Sequence, residues 1–322
     1  MTRERLWLIL KLTVSLALLG LLLGRVDRAQ VAALLLEANP MLLGLAFAAT
    51  VVAWLLNTYK WRQLLRALGH QLAYRDLLAL NYIGVFYSLV LPGQVSGEVM
   101  KGLRLTQSGC PAAHGAVSIG VDRLTGVLAL GVLGLAGLLA APQIDVSRPL
   151  LWFAAAVTGL SAGALLFVAA RPPRMGGWFP RARPFSYVRS LLSTLWQALA
   201  AYGNARSVLL RALVLAVGFQ VLVTFSNYLA ALAVGVEVPF MGLVWIVALV
   251  SLVHMLPVSF AGLGVREGAY VFFLSQYGVP LASGLSLSLA IFGLILLQGV
   301  VGGALEVLSP KLALGSYERQ KL

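Results

Sequence analysis

Charged residues stand where the sequence around them is apolar: Glu98 and Lys101, Asp122 and Arg123, Arg266 and Glu267, and Glu306. A charge in the hydrocarbon of a bilayer costs at least about 2.5 kcal/mol on insertion scales. Such residues persist when they pair with one another or line a polar cavity. Arg266, Arg123 and Lys101 have the chemistry to hold a phosphate. The guanidinium fork matches two phosphate oxygens, and the ammonium supplies a point charge. Glu98, Asp122 and Glu267 can orient those bases or meet a cationic headgroup. The competing assignment is a structural network, with Asp122 and Arg123 paired to a neighbouring helix and Arg266 and Glu267 paired to Glu98 and Lys101. Both assignments are open at the level of sequence.

The elements that must position these groups are two interrupted apolar segments, 77–91 and 241–256, each ending in Leu-Pro. Leu91-Pro92 opens LPGQVSGEVMKGLRL, and Leu256-Pro257 opens LPVSFAGLGVREGAYVFFL. Proline breaks the helix at each step. Gly93, Gly97, Gly262 and Gly264 let the backbone bend and a ligand or partner chain come near. A broken hairpin presents a helix N-terminus, whose free N–H groups and dipole attract anions. Unwound backbone at membrane depth must be covered by protein or face a water-filled cavity. In transporters built from inverted repeats, such discontinuous elements meet near the midplane and form the substrate site.

Around these segments the chain predicts an all-α polytopic membrane protein. Of its 322 residues, 60% are apolar and 11% charged, against about 25% charged in a soluble domain. Full spans are predicted at 6–24, 40–56, 115–140, 149–170, 207–233 and 283–307. Span, span, broken segment, span occurs once in 6–140 and again in 149–307, and the two Leu-Pro steps lie 165 residues apart. If each broken segment is re-entrant, each half crosses three times and the two repeats are inverted. Lys and Arg then divide 17 inside to 3 outside, which places both termini in the cytoplasm and the chain in the cytoplasmic membrane. Eight full crossings, with both broken segments passing straight through, are the alternative.

The remaining features set limits. Residues 6–24 are expected as an uncleaved first span rather than a signal peptide. The loop 171–206 carries six arginines, and its part 186–202 has helical apolar spacing, which predicts an amphipathic helix on the cytoplasmic surface. Tyr59-Lys60-Trp61-Arg62 reads as an interfacial anchor. Cys110, the single cysteine, excludes an internal disulfide and a multi-cysteine metal site. His70, His114 and His254 are isolated in sequence and lack metal-ligand spacing, with His254 read as a packed polar residue. Ser96 has no evident base partner. There is no P-loop, so transport would be downhill, ion-coupled or driven by a partner. No cofactor or metal is expected, and the net charge of +13 is assigned to membrane topology rather than to nucleic acid.

LPGQVSGEVMKGLRL, VSIGVDRLTGVLAL and LPVSFAGLGVREGAY in this order resemble the lysylphosphatidylglycerol synthase transmembrane-region family of flippase-like proteins, over about residues 10–308. Asn57-x-x-x-Trp61-Arg62 is similar to the family's early element. Gln94 and Ser96 stand where its first-break pattern carries glycine. Pro257, Gly262, Gly264, Arg266, Glu267 and Gly268 keep its last motif. The resemblance implies lipid translocation, with a membrane phospholipid or lipid-linked substrate. It also implies a lipid synthase or glycosyltransferase as partner, and it allows a homo-oligomer. The family's soluble synthase domain is not expected here, so aminoacyl transfer is not implied. The alternatives are a membrane-embedded lipid-modifying transferase and a non-transporting scaffold for a synthase.

Overall fold

The computed structural model describes residues 26–91, 95–140, 148–170, 186–255 and 263–308, together with 13, 20 and 24. Among the described residues the secondary structure is helical throughout: α1 (Arg28–Leu36), α2 (Pro40–Ala67), α3 (Tyr74–Val90), α4 (Ser96–Gln107), α5 (Ala112–Leu139), α6 (Arg148–Ala169), α7 (Ser186–Gly203), α8 (Arg206–Ala233), α9 (Phe240–His254), α10 (Val265–Ser275) and α11 (Leu281–Leu308). Local sequence explains the entry to α2. The Asn39 side chain accepts from the N–H groups of Met41 and Leu42 at 3.0 and 3.3 Å, and Pro40 takes the first helical position.

Five helices are long and apolar enough to cross a bilayer: Pro40–Ala67, Ala112–Leu139, Pro149–Ala169, Arg206–Ala233 and Leu281–Leu308. They coincide with five of the six predicted spans, and the chain is a multi-pass membrane protein. The sixth, 6–24, lies outside the described residues except at Thr13, Gly20 and Gly24. Helix α2 runs eleven residues beyond its predicted end at 56.

The interrupted segments form two pairs of short helices. With 12, 15 and 11 residues, α4, α9 and α10 are shorter than the ~17 residues at the low end for a span, and α3, with 17, sits at that limit. The legs of each pair lie side by side. Lys101 of α4 donates to Asn81 Oδ1 of α3 at 3.1 Å. Trp245 of α9 meets the Phe273 ring of α10 at 5.4 Å and donates to the Tyr277 hydroxyl at 2.8 Å. The helices on either side of each Leu-Pro step therefore pack against one another. Pro92, Gly93, Pro257 and Gly262 themselves lie outside the described residues.

Helix α2 packs along α8, α3 against α11, and α9 against α5. Small residues make these approaches close, as membrane helix packing favours. A Cβ on Gly302 of α11 would lie 2.0 Å from the Tyr82 carbonyl oxygen of α3, and one on Gly137 of α5 would lie 2.9 Å from the Trp245 Cβ of α9. Ser226 of α8 donates to the Ala46 carbonyl of α2 at 2.8 Å. Helices α6 and α7 flank α5. Helix α7 forms where the amphipathic segment is predicted, and its buried Tyr202 donates to the Leu64 carbonyl at 3.0 Å. The preceding residues, 171–185, lie outside the described set.

Candidate functional site

A cavity of about 280 Å³ opens between the first hairpin and helices α2, α5 and α8, and reaches the start of α10. Glu98 and Lys101 enter it from α4, Asp122 and Arg123 from α5, and Arg266 from α10. Five of the six charged side chains given a headgroup role from the sequence thus face one space, although they come from regions up to 168 residues apart. The sixth, Glu267, lies behind the lining. It is 0% exposed, pairs with the Arg266 guanidinium, and accepts from the Gly264 N–H at 2.6 Å. Gly264 has φ +82°, so glycine is what that turn into α10 requires. Gly97 lines the cavity from the first turn of α4, where α4 crosses Gly84 of α3 too closely for any side chain.

The pairing differs from the network expected between the hairpins. Glu98 pairs with Arg123, tying α4 to α5, rather than with Arg266. Asp122 pairs with Lys60 of α2 at 3.1 Å. Lys60 is 2% exposed and its neighbour Trp61 is 1%, so the interfacial-anchor reading of Tyr59-Lys60-Trp61-Arg62 is corrected at these two positions. Their burial follows from the length of α2, whose last turns continue past the predicted span and pack inside the bundle. Glu306 forms a separate group, accepting from Arg104 and from the Tyr87 hydroxyl, the latter at 3.1 Å.

Lys101 makes no ion pair among the described residues. Its ammonium donates to Asn81 Oδ1 and lies 4.7 Å from the centre of the Trp61 ring. Asn81 is held in turn by donating to Thr58 Oγ1 at 2.8 Å. Among the described residues only one of the three Lys101 ammonium N–H groups is hydrogen-bonded. Arg266 stacks on Phe292 at 4.5 Å, and its buried Nε has no hydrogen-bond partner among the described residues. Asn57 of α2 and Gln220 of α8 add uncharged polar groups to the wall, and His254 lies at its α9 end. The arrangement can bind an anion through N–H donors.

Two residues taken as isolated in the sequence meet where the α2–α3 loop reaches the start of α5. His70, in the α2–α3 loop, and His114, in the first turn of α5, place Nε2 and Nδ1 2.8 Å apart. The expectation fails because a 44-residue separation hides a contact that two helix ends create. Burial and the neighbouring His114 ring hold the His70 imidazole below its ordinary value. Burial pushes the nearby Cys110 thiol up to about 11, which keeps it out of the reactive thiolate form. Among the described residues no three metal-binding side chains come together.

With this geometry in hand, known proteins bear on the chain. Over residues 8–303 it matches the model of the lysylphosphatidylglycerol synthase TM region. It is 25% identical over 347 residues to "Glycosyltransferase AglD" of Haloferax volcanii, a match covering 97% of this chain and 55% of that protein. It is 23% identical over 267 residues to a "UPF0104 membrane protein" of Methanothermobacter thermautotrophicus, covering 75% of each. The chain thus spans about half the length of the first relative and three quarters of the second. The chain belongs to the lysylphosphatidylglycerol synthase transmembrane-region family.

Proposed function

We propose that the protein moves a phosphate-containing lipid across the cytoplasmic membrane, with the headgroup in the cavity and the hydrocarbon chains left in the bilayer. One observation carries this reading: charges from four separate sequence regions converge on one cavity between the helices, and one of them, Lys101, has no ionic partner among the described residues. Lys101 and Arg266 take the phosphate oxygens, and Arg123 adds a third cation at the rim. Glu98, Asp122 and Glu267 hold Arg123, Lys60 and Arg266 in place.

The moving parts are the two hairpins, taken as re-entrant elements of inverted repeats over 6–140 and 149–307. The exchanged packing supports this: α3 of the first half lies on α11 of the second, and α9 of the second lies on α5 of the first. Gly137 and Gly302, at the two crossings, are separated by 165 residues, as are Pro92 and Pro257. Rocking at those prolines would expose the cavity to either leaflet in turn. Both termini then lie in the cytoplasm, following the distribution of Lys and Arg.

The test is reconstitution of the purified chain in liposomes with tail-labelled phospholipids. Protein-dependent movement of a phosphate lipid between leaflets supports transport, and leakage-free vesicles without movement refute it. A second reading, a lipid-modifying transferase or its partner in sugar transfer, draws on the name of the AglD relative. It requires a new covalent lipid species, seen by mass spectrometry after incubation with the pure protein and a sugar donor.

A further inference from the structure

Among the described residues the charges of the cavity wall balance except for one. Asp122 holds Lys60, Glu98 holds Arg123, and Glu267 holds Arg266 from behind. Arg104 and Glu306 neutralise one another between α4 and α11. Lys101 is left without an ion pair among the described residues, its ammonium donating to Asn81 and facing the Trp61 ring. His254 is the other titratable group at the lining. In a low-dielectric site an uncompensated charge is costly, so a headgroup matched to this wall brings a single negative charge. A phosphodiester has one. A diphosphate brings two or more, and an aminoacylated headgroup brings ammonium groups that would meet carboxylates already paired.

The uncharged part of the headgroup is addressed by two amides. Asn57 and Gln220 are 6% and 8% exposed, and both line the cavity. Among the described residues, neither side-chain amide has a hydrogen-bond partner. Each offers two donors and an acceptor, a pattern that hydroxyl groups satisfy from both sides. Asn57 lies one helical turn from Lys60, and Gln220 follows Phe219, whose ring packs on Trp54 of α2 at 5.8 Å. The amides therefore share the α2–α8 wall, and Lys101 reaches in from α4.

We infer that the headgroup is a singly charged phosphodiester whose second ester carries an uncharged polyol or sugar. Lys101 takes the phosphate, and Asn57 and Gln220 take the hydroxyls. This rests on the lipid-transport reading for its setting. A polyol glycerophospholipid and a polyprenyl phosphate hexose share the chemistry.

The experiment measures equilibrium binding of tail-matched lipids to the full chain in nanodiscs, alongside translocation in liposomes. The probes are phosphatidylglycerol, polyprenyl phosphate hexose, phosphatidylmethanol, aminoacyl-phosphatidylglycerol and polyprenyl diphosphate. One of the first two binds about tenfold more tightly than the last two, and which one does so identifies the source. Asn57→Ala with Gln220→Ala weakens that lipid about tenfold and leaves phosphatidylmethanol, which lacks headgroup hydroxyls, unchanged. Tighter binding of the aminoacylated or diphosphate lipid overturns the inference. So does an equal loss for every lipid in the double variant, or equal binding of all five. Selective binding without translocation retires the transport reading and leaves the headgroup assignment standing.

Discussion

The Lys60 ammonium lies 3.1 Å from the Asp122 carboxylate and joins α2 to α5 beside the cavity, within a lysine side chain that is 2% exposed. Removing one partner of such a pair leaves an uncompensated buried charge, at a cost of about 3–5 kcal/mol. Lys60→Met therefore lowers the melting temperature of the detergent-solubilised protein sharply. Lys60→Met combined with Asp122→Leu removes both charges and recovers most of the loss. Equal melting temperatures for the single variant and the parent would remove the pair from the account.

Glycine at two helix crossings sets how closely the halves approach. Gly302→Ala drives a methyl group into the Tyr82 carbonyl, and Gly137→Ala drives one into Trp245. Each is expected to lose about 1–3 kcal/mol of stability by overpacking. At Gly293, on the same helix as Gly302, an added methyl group would meet nothing within 4 Å, so Gly293→Ala is neutral or mildly stabilising. Thermal unfolding of the three variants in one detergent compares them directly.

The histidine contact gives a pH dependence. The folded chain holds His70 below 6.5 because of burial and of His114 beside it, so the unfolded chain takes up the proton first as pH falls. The contribution of the pair is complete above about pH 6.5 and is lost as pH falls through the lower folded value. Melting temperatures from pH 8 to pH 5 should fall more steeply for the parent than for His70→Gln. Parallel curves would mean that the contact does not couple to protonation.

Much of this is legible in the sequence because charge in apolar sequence is rare and Leu-Pro is an unambiguous break. Glu98, Lys101, Asp122, Arg123 and Arg266 are found facing one cavity for that reason. Lys60 escapes because it follows Tyr59 and precedes Arg62 by two residues, a pattern that a membrane interface also produces. Only the extra turns of α2 and a partner 62 residues away reveal its burial. Asn57 and Gln220 carry no charge, so hydropathy alone does not separate them from ordinary helix-packing amides. Which carboxylate meets which cation depends on how α2 and α4 sit against α5, and no sequence spacing encodes that.

Charge balance can be shifted deliberately. Glu98→Gln leaves Arg123 without its carboxylate and gives the cavity a second uncompensated positive charge. Binding of a polyprenyl diphosphate in nanodiscs should then tighten relative to a phosphodiester lipid, by about tenfold for each 1.4 kcal/mol of added attraction. An unchanged preference would show that Glu98 and Arg123 do not contribute to headgroup selection.

Lys101 is the cleanest place to test the central claim, because its replacement strands no carboxylate among the described residues. The measurement is the rate at which purified Lys101→Gln protein, matched to the parent in melting temperature and reconstituted amount, moves a tail-labelled phosphodiester lipid between liposome leaflets. Phosphate recognition by Lys101 predicts a loss of at least about tenfold, as expected when a charge-assisted hydrogen bond to phosphate is removed. A variant that moves the lipid at the parent rate would contradict it.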